Sequence, residues 1–120
     1  MTVQQIAPLF TLFSGVEELN DLRPLLQSGI DDVAGRLRPG ADPADSRLAY
    51  LAAAIANLRH SQLLAARQQA LYTAAGTVPK ADGAGNRPAF AEALVREYAR
   101  TAQPLLQDDA FVFAAVGGMV

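Results

Sequence analysis

From Ser46 to Ala75 the chain reads SRLAYLAAAIANLRHSQLLAARQQALYTAA, thirty residues without a glycine or proline. The strongest helix formers dominate this stretch, and its ends carry start and stop chemistry. Asp42-Pro43-Ala44-Asp45 offers an N-cap acceptor, a proline at the first helical position and a carboxylate in the first turn; Asp45 or Ser46 can cap instead. Gly76 suits a left-handed C-terminal cap, with Pro79 just beyond. At about 1.5 Å per residue the helix is a rod of about 45 Å, long for 120 residues. The rest of the chain has to pack around it.

Leu48, Leu51, Ile55 and Leu58 form one apolar stripe on the rod, and Leu63, Ala66 and Ala70 continue nearby. Leu64 and Leu71 face roughly the opposite way, so the helix is apolar on more than one side. Such a helix is covered by several neighbours or by another subunit. Ala52, Ala53, Ala54, Ala56, Ala65 and Ala66 permit a partner helix to approach closely. More than a third of the hydrophobic residues, which make up 51% of the chain, are alanine, so the core is expected to consist of small side chains.

On either side of the rod the chain reads as shorter helices. Thr2-Val-Gln-Gln5 resembles a capping box ahead of Val3, Ile6, Phe10 and Phe13 at helical spacing, and Pro8 implies a kinked start or a helix beginning there. Ser14-Gly-Val-Glu17 reads as a second capping box opening a short turn. Asp21 is the expected cap of a helix with Pro24 in its first turn; its stripe is Leu22, Leu26, Ile30, Val33 and Leu37, and Pro39-Gly40 stops it. Residues 77–85, TVPKADGAG, form the one long loop and the internal segment expected to move most. Asn86 is placed to cap the next helix, with Pro88 in its first turn and Phe90, Leu94, Tyr98, Thr101 and Leu105 on one face; Pro104 breaks or restarts it. Phe111 to Val116 reads as a short strand or an extended tail.

The expectation is a single all-α domain over residues 1–120: four or five helices around one long central helix, with a short extended C-terminal segment. Its core would contain Leu26, Ile30, Val33, Leu48, Leu51, Ile55, Leu94 and Tyr98. Leu51→Ala or Ile55→Ala would then cost about 2–5 kcal/mol.

Composition narrows the function. A net charge of −2 gives no electrostatic grip on nucleic acid. Without cysteine there are no disulfides or thiolate metal sites. The longest apolar run, Leu48 to Ala56, is far short of a membrane span, and no basic-then-apolar leader opens the chain; a soluble, intracellular protein is expected.

Catalytic constellations are sparse. His60 is the one histidine, and its same-side helical neighbours are Ala56, Asn57, Leu63 and Leu64, so it reads as a surface or interface residue. Neighbouring positions on a helix diverge by about 100°, so neither Asp31-Asp32 nor Asp108-Asp109 is preorganised as a pair. The glycines of ADGAGNRP lack the spacing of a phosphate-binding loop, and no strand leads into them. Arg59 projects about 20° from Leu48 on the helical wheel. Either it is buried with a carboxylate such as Asp108 or Asp109, or it snorkels out of a shallow groove. No catalytic, cofactor or metal residues are assigned, and no cofactor is expected.

The middle of the chain has a second kind of information. LLQSGIDDVAGRL, a Pro/Gly turn, RLAYLAAAIANLRH and then a glycine-bearing loop resemble the small helical head–tail connector (adaptor) proteins of tailed phages and prophages. The likeness covers about residues 20–75 and consists of residue classes; Leu58 and His60 stand where such helices often carry aromatics. It implies a structural protein that assembles as a ring, meets portal or tail proteins, has no catalytic residues, and resides in the cytoplasm or an assembled virion. The alternative is a helical regulatory or adaptor module that binds one partner protein. Contact residues would come from the loop, Lys80, Asp82, Asn86 and Arg87, and from the tail, Phe111, Phe113, Val116, Met119 and Val120. The tail either folds back on the helices or docks into a neighbouring subunit.

Overall fold

The computed structural model describes residues 1–74 and 87–107, with side chains up to Gln68 and from Pro88 onward. Within them the protein is all-α: α1 (Val3–Ser14), α2 (Arg23–Ala34), α3 (Ser46–Ala74) and α4 (Arg87–Ala102), with 3₁₀ turns at Asn20–Leu22 and Gln103–Leu105. Helix α3 packs against each of the other three.

The ends of the elements follow local chemistry. Thr2 and Gln5 form the expected capping box at the start of α1. The helix continues through Pro8, so it does not begin at that proline. Proline there deletes the bond to the Gln4 carbonyl, and both residues are exposed, so water can satisfy it. Ser14 does not open a new turn. Its hydroxyl donates to the Phe10 carbonyl (2.8 Å) and accepts from the Val16 amide (3.1 Å), while Gly15 closes α1 at φ 78°. Nor does Asp21 cap α2; that helix grows out of the 3₁₀ turn at Leu22 with no side-chain cap. Asp45 caps α3, its carboxylate accepting from the Arg47 amide at 3.0 Å, and Asp42 tightens the preceding turn through the Ala44 amide.

Helix α2 ends at Ala34, four residues before the expected stop at Arg38. The chain opens there because it finds a partner elsewhere. Leu37 forms an antiparallel bridge with Leu106, in which the Arg38 amide donates to the Leu105 carbonyl and the Gln107 amide to the Arg36 carbonyl, both at 2.9 Å. The Arg38 guanidinium and the Gln107 side-chain amide add bonds to the Leu106 and Leu37 carbonyls. The turn after α2 is thereby tied to the end of α4.

The core holds Ile6 and Phe10 of α1, Leu26, Ile30 and Val33 of α2, and the unbroken run Leu51–Leu58 of α3 together with Leu48. In α4 the buried face is Ala91, Val95, Ala99 and Ala102. This is one position round from the expected stripe. Leu94 and Tyr98 are half-buried, Thr101 is exposed and Phe90 is 72% exposed. Small residues face the rod because α4 lies close to it, and the larger ones flank the contact. Tyr98 packs at that flank, stacked on Tyr50 at 5.3 Å and tilted against Phe13 at 5.5 Å.

Candidate functional site

The α2–α3 contact contains an ion pair between residues far apart in the chain, Arg59 and Asp32. Gly29 sits so close to α3 that a methyl group in its place would stand 2.6 Å from the Ala52 carbonyl oxygen. Beside it the Arg59 guanidinium donates to the Ser28 hydroxyl (2.8 Å) and to the Asp32 carboxylate (2.7 Å). Asp32 also accepts from Arg36 at 2.6 Å, so one carboxylate serves two cations. Arg59 is therefore held by its neighbour helix, in the half-buried position between the two expected ones; the suggested Asp108 and Asp109 lie outside the described residues. Asp31 points elsewhere and accepts from Gln27, so the two adjacent aspartates do not act as a pair.

The opposite side of α3 is more open. A cleft of about 290 Å³ lies between the end of α1, the middle of α3 and the start of α4, lined by Phe13, Ser14, Asn57, His60, Ser61, Leu64, Phe90, Ala91 and Leu94. Residues 57, 60, 61 and 64 share one face of α3 because they are spaced three, one and three apart. His60 packs edge-on against Phe10 at 5.7 Å. Asn57 and Ser61, at 5% and 6% exposed, are the buried polar residues of the described core. Ser14 and His60 add polar groups to the lining, Phe13, Leu64, Phe90, Ala91 and Leu94 supply its apolar part, and no lining residue is an acid, a lysine or an arginine.

The chemistry this arrangement offers is hydrogen bonding beside apolar side chains. Among the described residues no three His, Asp or Glu side chains are grouped to hold a metal ion. Electrostatics at the start of α3 are local to its surface cap. Hydrogen bonds from the Arg47 side chain and backbone hold the Asp45 carboxyl down at about 2, and Asp45 in turn raises the Arg47 guanidinium. No described helix is long and apolar enough to cross a membrane.

Of the contact residues expected from sequence, Lys80, Asp82, Asn86, Phe111, Phe113, Val116, Met119 and Val120 lie outside the described residues. Arg87 is the first residue of α4, its side chain undescribed. Sequence reasoning reached His60, Asn57 and Leu64 as neighbours but assigned the cleft no role. The available signal was polar Asn57 and Ser61 four apart, the first of them set into the apolar run Leu51–Leu58. In comparisons with protein families, curated proteins and solved structures, the chain finds no significant match.

Proposed function

We propose that this chain is a non-enzymatic structural protein that assembles with copies of itself, in the manner of the small head–tail connectors of tailed phages, with portal or tail proteins as neighbours. On this reading α1, α2 and α4 form a bundle around α3. The observation that carries it is the apolar surface left on and beside the long helix. Leu63 is 45% exposed and Phe90 is 72% exposed, while the smaller Ala52, Ala53, Ala54 and Ala56 of the same long helix are fully buried. Large exposed side chains next to a rigid helix pair suit helix-to-helix assembly. The residue pattern over about residues 20–75 supports the connector class in particular.

Sedimentation velocity over rising protein concentration tests it. The expected result is a discrete oligomer, weakened by Leu63→Asp with Phe90→Asp and by deletion of residues 111–120. A monomer at high concentration, unaffected by these changes and encoded among metabolic or signalling genes, overturns the reading; portal and capsid genes alongside support it. The half-open cleft favours a second reading, an adaptor module holding one partner protein, for which a one-to-one complex is the expected outcome.

A further inference from the structure

We infer that the cleft between α1, α3 and α4 is a binding site for a small, uncharged, planar molecule that carries a hydrogen-bond donor and acceptor side by side, as a primary aromatic amide does. The argument starts from Asn57. It lies in the most tightly packed part of α3, between Ala56 and Leu58, where an apolar residue would fit the core. Among the described residues neither its amide nor the Ser61 hydroxyl has a hydrogen-bond partner. A buried polar group left unpaired is destabilising. Yet no described side-chain nitrogen or oxygen is sealed from solvent without a partner. The small residual exposure of both groups therefore opens into the cleft that they line.

The cleft's shape and chemistry select the ligand class. Its volume, about 290 Å³, is at the small end of the roughly 300–1,000 Å³ typical of ligand pockets, which limits the occupant to about one ring. Phe13, Leu64, Phe90 and Leu94 supply apolar walls, with aromatic faces on both the α1 and α4 sides. No aspartate, glutamate, lysine or arginine lines the cleft, which gives a charged ligand no fixed counter-charge there; His60 is the one titratable side chain in the lining. The Asn57 amide presents two N–H donors and a carbonyl acceptor from one plane, which pairs edge to edge with another amide or a lactam. Ser61, one turn further along the same face, is placed for one more bond. The rival occupant is ordered water, which also satisfies polar cavities. This inference rests on the cleft alone and stands or falls independently of whether the chain assembles.

The test is a titration of the ¹⁵N-labelled full chain with benzamide, toluene and benzoate, followed by NMR. Benzamide should shift the Asn57 side-chain NH₂ signals and the backbone amides of Ser61 and Ala91 saturably, with a Kd on the order of a millimolar, given so small a ligand. Toluene, which cannot pair with the amide, and benzoate, which brings a charge, should bind at least about tenfold more weakly. Asn57→Ala should weaken benzamide by about tenfold, with the spectrum reporting whether the variant folds, and Ser61→Ala should weaken it by less. Phe90→Ala, at an exposed rim position, should loosen binding without disturbing the fold. Toluene or benzoate binding as tightly as benzamide overturns the inference. So does the absence of any saturable shift, which would leave the cleft a hydration site.

Discussion

Against α2, helix α3 comes to backbone contact, with Gly29 on the Ala52 carbonyl; against α1 and α4 it leaves a cleft with a polar floor. The two sides differ in what the facing residues bring. On the α2 side glycine and alanine remove the spacers, and Asp32 and Ser28 meet the Arg59 guanidinium. On the other side α4 also packs its small face on α3, but Phe13, Phe90 and Leu94 line a cleft beside Asn57 and Ser61, whose polar groups find no partner among the described residues. The first contact is optimised for stability. The second gives up some stability where a binding site would need it, a common feature of functional sites.

The largest expected effect tests the close side. Gly29→Ala places a methyl group against the backbone of α3, where neither helix can yield a flexible side chain. Overpacking of this kind should cost about 1–3 kcal/mol in urea unfolding, despite a helix-propensity gain of up to about 1 kcal/mol. A net gain would mean that the helices part freely and that the two sides are alike.

Next come two substitutions of similar size and opposite sign. Arg59→Met removes the bonds to Ser28 and Asp32, while Arg36 keeps Asp32 paired. With the guanidinium more than a third exposed, the loss should be about 1 kcal/mol. Asn57→Leu replaces an unpartnered amide by an apolar group and should stabilise by about 1 kcal/mol. If Asn57→Leu destabilises as Arg59→Met does, the amide is already serving the fold and the contrast between the sides fails.

The smallest effect lies away from both sides, at the cap of α3. The Asp45 carboxyl sits at about 2, below its ordinary value of 3.8, so the folded chain holds this proton less tightly than the unfolded one. Its stabilisation is complete above the ordinary value and is lost as pH falls through about 2. Asp45→Asn, which can still cap the helix, should lower stability near neutral pH slightly and flatten the loss between about pH 5 and pH 2. Urea midpoints across that range measure it. An unchanged acid limb would show that Arg47 does not hold the charge in solution.

Local chemistry was legible in the chain itself. The span of α3, the Thr2–Gln5 capping box, Pro24 and Pro88 in first turns and the burial of Leu26, Ile30, Val33, Leu48, Leu51 and Ile55 all depend on neighbours within a turn or on helical periodicity. Periodicity ranks faces by the size of their apolar residues, and this is where it misled. In α4 it favoured Phe90, Leu94 and Tyr98 over the adjacent stripe of Ala91, Val95, Ala99 and Ala102, whereas a close helix approach selects the small face. Tertiary structure alone decided that α4 presents its alanines, that Arg59 finds Ser28 and Asp32, and that Leu37 leaves its helix to pair with Leu106. It also placed Asn57 and Ser61 at the floor of a cleft formed by three helices. Each of these outcomes is set by the distance between elements far apart in the chain, and no spacing along one helix encodes that distance.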